Sequence, residues 1–486
     1  IAGKHRIPLY PMSCGRNWGY GTRNPVKAGE VVLDLSALNR IIEVNTKYNW
    51  IRLEPGVTQM QLYDHLKRNR LYYIVPTTGA GPYASILGNL LERGYGITPH
   101  TDHFKAMLAL KAVLPDGSVY RSPLLEIGND LGNSFKWGLG PYMDGLFSQG
   151  NFGIVTEATI ELHPMPEKAE SFFFRIWKRD NLADVVEAVR ELRSTLGTNI
   201  SGINLMNDRR LLSMSVSYPT EELGADGILP QETVDKLCKK NKLGFWGGVG
   251  TIYGPKSIAK QAKRMIKRKL AGKVSTLVFL DLKDASRLRS IGKVLSRIGA
   301  GNLGNFLQKL YKGIEIMAGI PNDTALPLVF WEKDEGGEKD YSKLESTSAG
   351  VIWYSPLVPK DPALVKDFEQ MVFRICREYG IEPLITLTSI TERIFDSTIP
   401  LLFDKTDADA TTRARACYEM LLEEGKRLGV YPYRFAVDHM NKSAFTGTPR
   451  SSFLSKLQKA ADPKGIISPG RYCPVYQKKT RSNNCP

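Results

Sequence analysis

Three glycines fall within seven positions in Ser13-Cys14-Gly15-Arg16-Asn17-Trp18-Gly19-Tyr20-Gly21, and no other stretch constrains the chain more. Glycine tolerates positive φ and carries no Cβ, so backbone N–H groups can crowd around a group that bulkier residues would exclude. The stretch follows Ile7-Pro8-Leu9-Tyr10-Pro11 and precedes Val31-Val32-Leu33-Asp34-Leu35, which makes it a loop between two strands. Arg16 and Asn17 add side-chain donors. An anion, a phosphate above all, fits such a nest; an ordinary tight hairpin is the plainer reading of the loop by itself.

The 486 residues, 42% hydrophobic and 24% charged, suit a globular protein of two or three domains. Apolar runs are short and interrupted, so no membrane span is expected, and the start shows no signal-peptide pattern. These features favour a cytoplasmic or other intracellular location. The chain opens at Ile1 without Met, and residues 1–6 read as the end of a helix running into a strand, so an upstream segment is expected to be missing. Lys and Arg outnumber Asp and Glu by 66 to 50, a net +16. The surplus is dispersed: Lys239-Lys240-Asn241-Lys242 and Arg264 to Lys269 read as solvated faces, so nucleic acid is not expected as a partner. The six cysteines show no Cys-x-x-Cys spacing, which argues against a metal site and a disulfide framework and favours a reducing compartment.

Along the chain, residues 1–168 alternate β-like runs with helical ones: the helix-like Thr58 to Arg68, then Met107 to Leu114 before the turn Pro115-Asp116-Gly117-Ser118. Prolines at 164 and 166 mark a boundary. Over 169–429, β-like runs precede amphipathic helices at Leu182 to Leu196, Pro255 to Leu270, Asp361 to Gly380 and Thr411 to Leu428. That pattern predicts an antiparallel sheet covered by helices. Residues 430–486 return to short segments, among them Asp462-Pro463-Lys464-Gly465-Ile466-Ile467-Ser468-Pro469-Gly470-Arg471.

Four further motifs stand out: Ser85-Ile86-Leu87-Gly88-Asn89 with Arg93-Gly94-Tyr95-Gly96; Thr98-Pro99-His100-Thr101-Asp102-His103-Phe104; residues 140–156, which contain Gly153-Ile154-Val155; and Tyr431-Pro432-Tyr433-Arg434. Each has a structural explanation when taken singly. In this order and spacing the five motifs resemble the FAD-linked oxidases of the vanillyl-alcohol oxidase and p-cresol methylhydroxylase type, over essentially the whole length. The resemblance implies an α+β architecture: a two-lobed FAD-binding domain (PCMH-type) formed by residues 1–168 and 430–486, with a cap of antiparallel sheet plus helices over 169–429.

By this resemblance, Ser13, Cys14, Gly15, Arg16 and Asn17 cradle the FAD pyrophosphate, with Ser85, Gly88 and Asn89 opposite them. Gly153, Ile154 and Val155 contact the adenine half, and Arg471 also belongs to the cofactor site. Tyr20, Tyr433 and Arg434 fall where the family holds a para-substituted phenol as phenolate, and Asp102 falls on the acidic residue beside the reactive flavin nitrogen. The chemistry needs these types. A phenol has a pKa of about 10, so ionising it near neutral pH takes a fixed cation and hydroxyl donors. Hydride can then leave the carbon attached to the ring, giving a quinone methide, with Asp102 as base toward water. The implied enzyme is an oxidase acting on a small aromatic substrate with molecular oxygen, a homodimer or larger homo-oligomer. The alternatives are a dehydrogenase or hydroxylase of the same fold that passes electrons to a cytochrome or other acceptor, and a catalytically silent basic binding protein.

The chain departs from the family in places. Between Gly380 and Gly429 it has no His and only Tyr418, so the covalent FAD link that many members make is not expected there, and FAD is expected to be noncovalent. His100 and Thr101 stand where Tyr-Gly is common in the family, Trp18 reads as packing, and His103 beside Asp102 as either a proton partner or a satisfied structural histidine.

Overall fold

The structure is a computed structural model; it describes residues 1–128, 130–297, 301–333, 340–440 and 448–472. The first region is built on a five-stranded antiparallel sheet with Met107–Val113 and Ile154–Glu161 near its centre. The hairpin at 115–118 closes Met107–Val113 onto Val119–Arg121. Helix Gln59–Arg68 packs on this sheet, its first turn capped by Thr58, whose hydroxyl accepts from Gln61 N. Leu9–Met12 and Val31–Asp34, the strands on either side of the opening loop, pair in parallel.

A nine-stranded sheet dominates the middle of the chain. Its strands Lys168–Ile176, Trp246–Gly254, Asn204–Asn207, Thr386–Ser389 and Ile394–Asp404 lie side by side, each antiparallel to its neighbour. Side chains alternate across a strand, so one face can be apolar and the other functional. Leu205, Leu387, Phe395, Ile399 and Leu401 point into one core with helices Asn181–Leu196, Lys256–Leu270, Pro362–Glu378 and Ala408–Leu428. Asp361 and Asp407 cap the last two of these helices. The opposite face turns toward the first region.

The tail leaves through Tyr431–Pro432, an edge strand paired with Pro356 and Leu357, and returns to the start of the chain. There Leu9 N–H donates to Ile466 O at 2.7 Å and Ser468 N–H to Leu9 O at 2.8 Å. Among the described residues no helix is long and apolar enough to cross a membrane, and no group of His, Cys, Asp or Glu could hold a metal ion.

Candidate active site

Gly15, Gly19 and Gly21 have φ of 65°, 76° and 117°, a region that side chains with a Cβ rarely adopt. They let the loop lie close to the cap: a Cβ on Gly19 would come within 2.3 Å of the Trp353 ring, whose Nε1–H donates to Trp18 O at 3.1 Å. Trp18 packs in the cluster containing Trp353, as its packing role requires, and its surface also borders the cavity below.

That cavity, about 510 Å³, runs between the two sheets. Of the residues singled out in the sequence, Ser13, Gly15, Arg16, Asn17, Tyr20, Ser85, Gly88, Asn89, Gly153, Val155, Tyr433, Arg434 and Arg471 all line it. Three do not. Cys14 Sγ donates to Gly56 O at 3.4 Å, and burial pushes its thiol up to about 11. Ile154 packs with Ile466 and Ile467, because strand alternation sends it to the opposite side from Val155. Asp102 Oδ1 accepts from Lys105 N at 3.0 Å, which makes it a turn residue. His103 is held by Asn89, Nδ2 to Nδ1 at 2.6 Å, and burial lowers its pKa to about 3, so it stays neutral and is no proton partner for Asp102.

The residue that sequence reasoning missed is Asp396. The cavity roof is the inward face of three strands, and their register sets two rows: Asn204, Thr388 and Asp396, then Met206, Thr386 and Thr398. Asp396 is buried; Oδ1 has no hydrogen-bond partner among the described residues, and burial, only partly offset by Arg434, holds its carboxyl well above the usual range. Tyr20, buried, and Tyr433, half-buried, border the same cavity. Burial raises both hydroxyls, so they remain protonated donors, while Arg434 pulls the other way. Tyr20 Oη lies 2.7 Å from Ser355 Oγ, and the Arg434 guanidinium stacks 3.9 Å over the Tyr20 ring. Tyr95 meets Tyr433 edge-on at 5.0 Å.

Arg434 and Arg471 share a single carboxylate, Glu92: Arg434 at 3.6 Å and Arg471 in a hydrogen-bonded ion pair. Arg434 also donates to Asn17 Oδ1. Two guanidiniums facing one carboxylate leave a positive charge at this end of the cavity. Arg16 donates to Ser342 O and borders the cavity. The loops there are close enough to grip a flat, doubly anionic ligand, since a Cβ on Gly88 would meet Ser13 Oγ at 2.3 Å. Positive-φ glycines, Arg16 and Asn17 make a donor set that fits the FAD pyrophosphate, while the Ser85 hydroxyl is spent on Pro55 O and caps the helix at Gly88 N. A larger groove of about 1320 Å³ lies among the cap helices, lined by residues such as Arg179, Glu369 and Arg377, and holds none of the residues above.

Comparison with known proteins agrees with this geometry. Residues 1–122 match the FAD binding domain family model. The 1'-carboxy-chondrochloren decarboxylase of Chondromyces crocatus is 30% identical over 474 residues, 97% of this chain and 87% of that protein. The chain belongs to the vanillyl-alcohol oxidase and p-cresol methylhydroxylase family of FAD-linked oxidases. The flavoprotein subunit of 4-cresol dehydrogenase [hydroxylating] from Pseudomonas putida is 28% identical over 476 residues, 97% of this chain and 84% of that one. A crystal structure of p-cresol methylhydroxylase with substrate bound superposes with a TM-score of 0.85 at 25% identity, covering 98% of this chain and 86% of that chain. This family member is thus an FAD-dependent oxidoreductase with the α+β, two-lobed architecture expected from its motifs.

Proposed function

We propose that this enzyme oxidises a para-substituted phenol at the carbon attached to the ring, with oxygen as electron acceptor. The observation that carries this reading is the convergence of Tyr20, Tyr433, Arg434 and Asp396 in one buried end of the FAD cavity. Arg434 and the two tyrosine hydroxyls hold the phenol oxygen as phenolate, and ionisation pushes electron density toward the para carbon. Bound FAD supplies the acceptor for the hydride that leaves that carbon. The product of hydride loss is a quinone methide; when water adds to it, Asp396 in its carboxylate form, a stronger base for its raised pKa, takes the water proton, and when an alkene forms instead, the same carboxylate takes the proton of the adjacent carbon. Asp396, from the cap, assumes the acid–base role expected of Asp102.

Anaerobic mixing with 4-alkylphenols is expected to bleach the flavin, and Arg434→Leu to abolish both bleaching and the spectral change on phenol binding. Retention of that response would remove the phenolate reading. On readmission of air the reduced enzyme is expected to form peroxide in proportion to flavin. Reduced flavin that persists in air and discharges only to an added one-electron acceptor would favour the dehydrogenase reading, which the name of the Pseudomonas putida relative supports.

FAD held without a covalent bond is part of this proposal. Tyr418 packs in the core against Tyr354 and His439, away from the cavity. The cap's one cavity-lining tyrosine among the described residues is Tyr341, outside the stretch searched in the sequence. Acid-precipitated protein is expected to be colourless. A yellow pellet that becomes colourless in Tyr341→Phe would reverse this part of the reading and name the attachment point.

A further inference from the structure

Three largely shielded arginines of this fold are matched by carboxylates: Arg209 by Glu382, and Arg434 and Arg471 by Glu92. Arg210 is different. Its side chain lines the FAD cavity and, among the described residues, makes one hydrogen bond, from Nη1 to Ser213 Oγ at 3.1 Å, and no ion pair. Burial draws its pKa down to about 10 with no neighbouring carboxylate to oppose it. A guanidinium carries five N–H donors in a planar fork, and an unmatched cation in such a place costs stability unless a ligand completes it.

Its place in the fold says which ligand. Arg210 lies on helix Asp208–Ser215, which follows strand Asn204–Asn207 directly, on the Met206 side of the cavity roof. Asp396 lies in the Asn204 row, one row nearer the other end. A strand rises about 3.3 Å per residue, so the Met206 row stands about 7 Å beyond the Asn204 row, with Arg210 farther still. The cavity lining also includes the apolar side chains Ile316, Leu326, Leu328 and Val329.

We propose that the substrate carries a carboxylate on its para side chain, and that Arg210 binds it at the end of the cavity remote from the phenol oxygen. The inference rests on the phenol reading above and extends it to the substrate's other end. A fork of N–H donors matches a carboxylate in two parallel hydrogen bonds, whereas a neutral tail would leave the guanidinium unmatched. Arg210 thereby selects substrates by their tails, and Tyr20, Tyr433 and Arg434 by their heads.

The experiment uses the FAD-loaded enzyme and a series of ω-(4-hydroxyphenyl)alkanoates of increasing chain length, each beside its methyl ester, with dissociation constants read from the flavin spectrum. At the best chain length the acid is expected to bind tighter than the ester by about tenfold or more, the size of one charge-assisted hydrogen bond. Arg210→Met is expected to erase that preference while leaving ester affinity and FAD content unchanged, and Arg210→Lys to restore part of it. Equal binding of acid and ester by the unmodified enzyme overturns the proposal and leaves the phenol reading standing. So does equal weakening of both by Arg210→Met, or loss of FAD from that variant. A flavin spectrum that answers to neither acid nor ester removes the phenol reading, and this inference with it.

Discussion

Burial, only partly offset by Arg434, holds the Asp396 carboxyl well above the usual carboxylate range, and two measurements follow. Asp396→Asn is expected to slow flavin reduction or product formation at least about tenfold, toward the range for loss of a general acid or base. Asp102→Asn is expected to change the rate little, because Asp102 caps a turn. Equal effects from both would return the role to Asp102. The second measurement is stability against pH. An unfolded Asp ionises at about 3.9, so the folded carboxyl, with its raised pKa, binds its proton over a range where the unfolded chain has released it. That costs stability as pH rises above the unfolded value, and Asp396→Asn should remove the cost. The variant's melting temperature, relative to the parent, is expected to be higher at pH 7 than at pH 4; a constant difference would mean that Asp396 is ionised in the fold. The sequence contained Asp396 within Arg393-Ile394-Phe395-Asp396-Ser397-Thr398 but gave it no local mark. Asp102 drew the assignment because it sits among motif residues, whereas Asp396 reaches the site only through strand register. Tyr20 was legible inside the opening glycine-rich loop, and Tyr433 and Arg434 inside the single motif Tyr431-Pro432-Tyr433-Arg434.

The strand Ile394–Asp404 shows how one element serves two ends. Ile399 is fully buried against the helices, and Thr398, one residue back, faces the cavity. Ile399→Ala is expected to cost about 2–5 kcal/mol, the usual range for emptying a packed aliphatic site, with ligand spectra intact in whatever protein folds. Thr398→Ala is expected to leave the melting temperature nearly unchanged and to shift phenol affinity. If the two variants exchange effects, the strand faces the other way. The four cap helices were readable from their apolar stripes, and Asp361 and Asp407 mark the starts of two. Asn204–Asn207 and Thr386–Ser389 escaped notice although they carry the cavity roof. Each is short, and its inward residues, Met206 apart, are polar because they face a ligand cavity, so the pattern resembles a solvent-washed segment. The helices Leu282–Arg297 and Gly301–Met317 were missed as well: their stripes serve mainly each other and a small separate core.

Glu92 joins three parts of the chain: it closes the helix that starts after Ser85, and it holds Arg434, just past the edge strand Tyr431–Pro432, and Arg471 from the returning tail. All three side chains are largely shielded, so the pairing is not a surface contact of negligible worth. Removing one partner of a buried ion pair strands the remaining charge, at a cost of about 3–5 kcal/mol. Glu92→Gln is therefore expected to melt well below the parent protein. The same substitution leaves two guanidiniums without their shared carboxylate next to the proposed phenol site, so a bound phenol should ionise more readily. Stability and phenolate binding are thus expected to move in opposite directions: a lower melting temperature, and a lower apparent pKa for the phenol bound to whatever enzyme remains folded. If that pKa stays the same or rises, the charge of Glu92 does not reach the substrate, and the positive end of the cavity must be held by Arg434 alone. The net +16 of the chain does not change this expectation, since exposed charges beyond about 10 Å are screened at ordinary salt, whereas the triad acts within the cavity wall.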